Sequence, residues 1–187
     1  MDPIVVQVTH VLSLLALGAG IGVLALGAAL LARRLGFHSS PLKTLLDRAG
    51  KYALPLGFMV AAGGTLASLF YSNIAGFPPC PLCWWQRIFL YPQVIILGIA
   101  FIVRDVRAWR YVAALAICGA AVSVYHTYIQ FGGEPLVPCG AGAATNQCAQ
   151  LFFLEFGYIT IPTMALTSFL LTIALMAAYK VTHNTNQ

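Results

Sequence analysis

Residues 78–103 read PPCPLCWWQRIFLYPQVIILGIAFIV. From Trp84 onward the run holds a single charge, Arg87, and continues almost wholly apolar to Val103. About 20 such residues are what a helix needs to cross roughly 30 Å of hydrocarbon. Four further stretches have the same character, at 11–32, 52–71, 111–131 and 157–179. Together the five take more than half of the 187 residues, leaving no room for a soluble domain. Apolar residues make up 60% of the chain and charged residues 8%, against roughly 45–50% and 25% in soluble proteins. Each segment must satisfy its own backbone hydrogen bonds inside a bilayer, so helices are expected. The alternating pattern of a membrane barrel is missing. The composition therefore predicts an all-α membrane protein with five spans.

Charge placement predicts orientation. Arg33, Arg34, Lys43, Arg48 and Lys51 fall between the first two spans, Arg104, Arg107 and Arg110 between the third and fourth, and Lys180 after the fifth. If the helices alternate, these nine of the ten basic residues share one side, which the positive-inside rule makes cytoplasmic. The N-terminus is then outside and the C-terminus inside. Segments 72–83 and 132–156 face outward, and neither contains Lys or Arg. The first span is read as a retained helix: its apolar run exceeds the 7–15 residues of a signal peptide and Asp2, not a basic residue, precedes it. Basic stripes interleaved with polar residues, which nucleic-acid binding needs, are absent.

The outward segments hold four of the five cysteines, Cys80 and Cys83, Cys139 and Cys148. Outside a bacterial cytoplasm is where disulfides form and persist. Cys118 falls within the fourth span and is expected to be a small buried apolar residue. Cys80-Pro81-Leu82-Cys83 is a compact dithiol of a spacing that often accompanies a lowered thiol pKa. The prolines steer the approach away from helix, so helix should begin near Leu82 or Cys83. That puts Cys83 in the first turn, where the positive end of the macrodipole favours a thiolate, with Arg87 four residues on along the same face. Both effects are expected to act on Cys83 more than on Cys80. Arg87 is costly enough in a span to call for a reason; snorkelling to lipid phosphates is the plain alternative. His126 is the third element. Sixteen residues at 1.5 Å carry the chain from Arg110 to His126, roughly 24 Å, which matches the depth of Arg87 on the neighbouring span. A histidine there can exchange a proton near neutral pH, or can simply be an interfacial polar residue beside Tyr125 and Tyr128.

Two structural alternatives compete with redox use. Four outer cysteines could bind zinc tetrahedrally, although eight residues separate Cys139 from Cys148. Inert disulfides are the other, a Cys139–Cys148 ring contributing about 3 kcal/mol. The residues between them, Gly140 to Gln147, are small or polar. They suit a mobile loop whose disulfide a partner can reach.

Cys80-Pro81-Leu82-Cys83 with Arg87, the Tyr125-His126-Thr127 step, the downstream cysteine pair, and Leu154-Glu155 ahead of Ile161-Pro162 resemble the DsbB-type disulfide bond formation proteins. The resemblance covers residues 52–181 and implies a four-helix redox bundle. Residues 1–51 then form an additional N-terminal transmembrane helix with a cytoplasmic linker, and 182–187 a short tail. The resemblance further implies an enzyme of the bacterial inner membrane that re-oxidises a thioredoxin-fold thiol oxidase of the DsbA type and passes two electrons to membrane quinone, ubiquinone or menaquinone. It implies that Cys139 accepts the partner's thiolate, Cys148 exchanges with Cys80, and Cys83 is released as a thiolate facing the quinone. Arg87 and His126 would then serve quinone binding, with no metal. The chain departs from the family in its extra span, in Gln86 where an acidic residue precedes the arginine in well-known members, and in its short second loop.

Overall fold

The computed structural model describes residues 2–37, 39–105, 107–135, 139 and 147–184. Among these described residues six α-helices follow one another: α1 (Pro3–Arg34), α2 (Ser40–Lys51), α3 (Ala53–Asn73), α4 (Pro81–Val103), α5 (Ala108–Gln130) and α6 (Ile161–Asn184). Five of them, all but α2, are long and apolar enough to cross a membrane. No strand occurs among the described residues; Glu155 and Ile159 form an isolated bridge. The chain is an all-α membrane protein.

Helices α3, α4, α5 and α6 form a closed ring in which each packs against the next and α6 returns to α3. Leu90, Leu97, Val112, Phe169, Leu175 and Met176 fill its centre. Without a hydrophobic force between helices in lipid, close approach must come from small residues. Gly119 on α5 provides one: a Cβ there would run into the fully buried ring of Phe169 on α6. Pro92 interrupts the backbone ladder of α4, and the buried Gln93 amide donates to the Phe89 carbonyl beside it at 2.8 Å.

Helix α1 lies outside this ring, against α6. Its N-terminal part is tied down by polar contacts: Tyr71 on α3 donates to Thr9 at 3.3 Å, and His10 meets Glu155 at 3.4 Å. The basic segment expected as a linker contains α2, which the sequence reading did not foresee. It is amphipathic, burying Leu46 and Gly50 against α6 and the end of α1. A 12-residue helix is too short to span, and its pattern was hidden among charges.

Helix ends follow the capping rules. Helix α4 starts at Pro81, where a missing N–H costs nothing. Between Leu151 and Thr160 the chain turns back through Phe156 and Gly157, both at positive φ, a conformation that glycine adopts without strain. This turn leads into α6.

Gly119→Ala should lower the thermal midpoint of the purified protein by several degrees, since overpacking costs about 1–3 kcal/mol. Phe169→Leu in the same chain should recover most of the loss; an unchanged midpoint for Gly119→Ala alone would show that the α5–α6 contact yields freely.

Candidate active site

The site is built at the N-terminus of α4. Cys80 is the N-cap, in extended conformation, and its sulfur accepts a hydrogen bond from the Cys83 backbone N–H at 3.3 Å. Cys83 falls in the first helical turn, as expected. The two sulfurs are 3.0 Å apart and in hydrogen-bond contact. His126, on α5, brings Nε2 to 3.6 Å from the Cys80 sulfur, and its Nδ1 is buried with no partner among the described residues.

This geometry reverses one expectation. The macrodipole and the free N–H groups act most directly on the capping sulfur, which belongs to Cys80, not Cys83. The Cys83 thiol beside it, then His126 and the Cys83 N–H, draw the Cys80 thiol well below its ordinary pKa against the opposing pull of burial. In the reduced pair the negative charge therefore rests on Cys80. A residue three places into the helix lies beside the N–H groups, while the cap lies over them.

Arg87 is held by α3, one turn in from the dithiol. Its Nε donates to the Ser68 hydroxyl at 2.9 Å and a terminal nitrogen to the Ser68 carbonyl at 3.2 Å. The guanidinium also lies 5.0 Å from the Trp84 ring centroid, and Tyr91 donates to the same Ser68 hydroxyl at 3.3 Å. A charge near the membrane interface is thus anchored within the protein. Gln86 is buried and donates to Ser123 at 3.0 Å, which donates in turn to the Gly119 carbonyl at 2.8 Å. An uncharged amide is well matched to that enclosed position.

Cys83 and Arg87 face a cavity of about 370 Å³, within the size range of small-molecule sites. Its walls are mostly apolar and come from α3, α4, α6 and, through Leu12, Leu15, Ala16 and Ala19, from α1. Phe77 and Phe152, stacked at 4.4 Å, belong to both the outer loops and this wall. Cys83, Arg87, Gln86 and Ser68 are among its few polar groups. His126 is not in the wall; it stands against Cys80.

Cys139 and Cys148 form a disulfide, with Cα atoms 6.1 Å apart. It packs with Cys80 and Ile129 in one small buried cluster that Cys83 and Tyr125 border. Cys139 is 7% exposed and Cys148 1%, so in this state the bond itself is covered, whereas a disulfide within reach of a partner was expected. Residues 140–146 of that loop lie outside the described residues, as do 185–187 of the tail. One disulfide and one dithiol are therefore adjacent, the starting arrangement for thiolate exchange. Cys80, Cys83 and His126 also place one ligand atom each within 4.8 Å of one another, a set that could hold a soft cation when both thiols are reduced. Cys118, on α5, takes no part in the site and is exposed on the outside of the bundle, not buried as expected: α5 turns that face away from its neighbours.

The four cysteines, Arg87 and His126, singled out from the sequence, lie near one another here, while Ser68, Tyr91 and the α1 wall carried no sequence signal. Ser68 and Arg87 are 19 positions apart in sequence, and no helical spacing rule links side chains on different helices.

The model of the disulfide bond formation protein DsbB family matches residues 50–179. The chain is 44% identical over 114 residues to the SPbeta prophage-derived disulfide bond formation protein B of Bacillus subtilis (strain 168), covering 61% of this chain and 76% of the relative. It is 42% identical over 125 residues to disulfide bond formation protein C of the same organism, covering 66% and 88%. A probable disulfide formation protein of Metapseudomonas resinovorans is 36% identical over 125 residues, covering 66% and 85%. No solved structure matches. Fold, paired cysteines and relatives together define a multi-pass membrane thiol–disulfide oxidoreductase. The chain belongs to the DsbB family of disulfide bond formation proteins.

The Cys80 thiol should titrate below the ordinary range: ultraviolet thiolate absorbance of the reduced pair should persist as pH falls through neutrality and vanish only in acid. His126→Gln should move that loss to higher pH, and Cys80→Ser should abolish it. A titration unaffected by His126→Gln would remove the histidine from this role.

Proposed function

We propose that this protein re-oxidises a thioredoxin-fold dithiol oxidase of the DsbA type outside the cytoplasm and delivers the two electrons to membrane quinone. The observation that carries the reading is the position of the Cys80–Cys83 pair, between a second disulfide on one side and an apolar cavity containing Cys83 and Arg87 on the other. In this reading the basic ends of the helices face the cytoplasm of a bacterial inner membrane and the cysteines face out.

The sequence of exchanges balances as follows. A partner thiolate attacks Cys139, breaking the Cys139–Cys148 bond and forming a mixed disulfide. The partner's second thiol attacks its own half of that bond, leaving as an oxidised partner and freeing Cys139. Cys148 then attacks Cys80 of an oxidised Cys80–Cys83 pair, and Cys83 leaves as a thiolate. Cys139 closes on Cys148, restoring the loop disulfide, and Cys80 is released. The net change so far is one partner dithiol oxidised and the Cys80–Cys83 pair reduced, which is the state described above. A quinone held by the cavity residues would supply the acceptor for the two electrons and two protons that the Cys80–Cys83 dithiol gives up on re-forming its bond.

The chain's own residues support each end of this route. His126 and the cap N–H group stabilise charge on Cys80 when it is released. Once Cys80 is tied up in a disulfide with Cys148, it can no longer carry that charge, and Arg87 is the cation in the cavity wall with Cys83. The cavity fits a quinone ring in volume, in apolar lining and in its guanidinium donor to a carbonyl oxygen. Ser68 holds that guanidinium in place from two directions. The burial of Cys139 and Cys148 means that partner docking must first loosen this loop.

Cys83→Ser should abolish reduction of a soluble quinone analogue by a reduced thioredoxin-fold partner, while Cys118→Ser turns over normally. Arg87→Ala should raise KM for quinone about tenfold, the loss of charge-assisted hydrogen bonding, with Ser68→Ala in the same direction and smaller. Ala16→Phe on α1 should also raise it by filling the cavity, with thiol exchange between partner and Cys139 unaffected. Turnover by Cys83→Ser would overturn the proposal. Stoichiometric zinc in the purified protein, lost on His126→Gln, would instead favour a metal-binding role for the same three residues.

A further inference from the structure

The end of the bundle opposite the dithiol contains a second, larger cavity of about 1650 Å³. It is too big for an ordinary small-molecule site of roughly 300–1,000 Å³. Its walls are the end of α1, the amphipathic α2, the start of α3 and the ends of α4 and α6. Four cations from three segments converge on it: Arg33 at the end of α1, Lys43 and Lys51 on α2, and Arg104 just after α4. Asp47 is the one carboxylate in its wall. Among the described residues, Lys43, Lys51 and Arg104 make no ion pair, and Lys51 lies over the Tyr52 ring at 5.4 Å.

The rest of the wall is apolar. Leu46, Leu54, Pro55 and Phe101 line it beneath the cations. Near the same end of the bundle, Trp109 carries Arg110 and Lys180 over its ring at 5.6 Å and 5.0 Å, as expected of aromatic and basic residues at headgroup level. A cavity with a cationic rim, an apolar wall and a place at the membrane surface matches a molecule with an anionic head and hydrocarbon chains.

We infer that this cavity is a binding site for an anionic phospholipid, its phosphate taken by Lys43, Lys51, Arg104 and Arg33 and its chains by the apolar wall. Basic pockets between membrane helices are a recognised way to select such headgroups. The lipid would seal α2 and α1 onto the four-helix ring, where α2 otherwise covers only a small buried patch around Leu46. A free phosphate would satisfy the cations but leave the apolar wall uncovered, so the site is assigned to the lipid. The inference stands apart from the proposed redox reaction.

The test uses the full chain purified in detergent, supplied with phosphatidylglycerol or with phosphatidylcholine of the same chains. Native mass spectrometry should find phosphatidylglycerol retained about tenfold over phosphatidylcholine, with a raised thermal midpoint. The triple variant K43Q/K51Q/R104Q should lose this preference, and the charge-keeping K43R/K51R/R104K should keep it. Asp47→Asn, which removes the opposing charge, should strengthen it. Equal retention of the two lipids would overturn the inference, as would a preference that survives the triple neutral variant or disappears in the charge-keeping one. Inorganic phosphate should leave the midpoint unchanged; a shift equal to that of the lipid would assign the site to a free anion and overturn the lipid reading.

Discussion

The sulfur of Cys80 does two jobs at once: it caps α4 and it is half of the dithiol. The first N–H groups of a helix have no partners inside it, and in a membrane protein they cannot be left facing lipid. Placing the helix start at the interface and closing it with a sulfur resolves both demands. The rest of the site follows from that choice. Cys83 comes one turn later, and Arg87 a further turn along, level with Ser68 on α3. His126 reaches the same sulfur from α5.

Charge in this site is apportioned by position more than by residue type. Cys80 and Cys83 are chemically alike, yet only the former lies over the helix end and against an imidazole. Which sulfur carries charge therefore depends on which is bonded elsewhere, and that changes during a cycle of disulfide exchange. Arg87 is separated from the charged sulfur and fixed by α3, so it remains available in the cavity wall. A guanidinium with planar, rigid donors suits such a fixed post better than a lysine would.

Helix α1 shows how a segment outside the family match can still border the site. The family match begins at residue 50 and leaves α1 outside. Yet α1 supplies part of the cavity wall and is fastened to α3 through Thr9 and to the segment before α6 through His10. The membrane provides no hydrophobic force to attach it. Small residues facing α6 and a few polar clasps near the N-terminus of α1 take that part instead.

The sequence alone determined the five spans and the approximate level of the reactive residues. Span length is set by bilayer thickness and depth by helical rise, both of which are local properties. It also determined the dithiol, because Cys80 and Cys83 are three residues apart in one chain segment. Only the tertiary structure decided which sulfur is capped, because that depends on where the helix begins to within one residue. It alone brought Ser68 to Arg87, the Cys139–Cys148 disulfide to Cys80, and α1 to the cavity. Those contacts join helices or loops distant in sequence, and hydropathy reports how deep a residue sits but not which neighbour it faces.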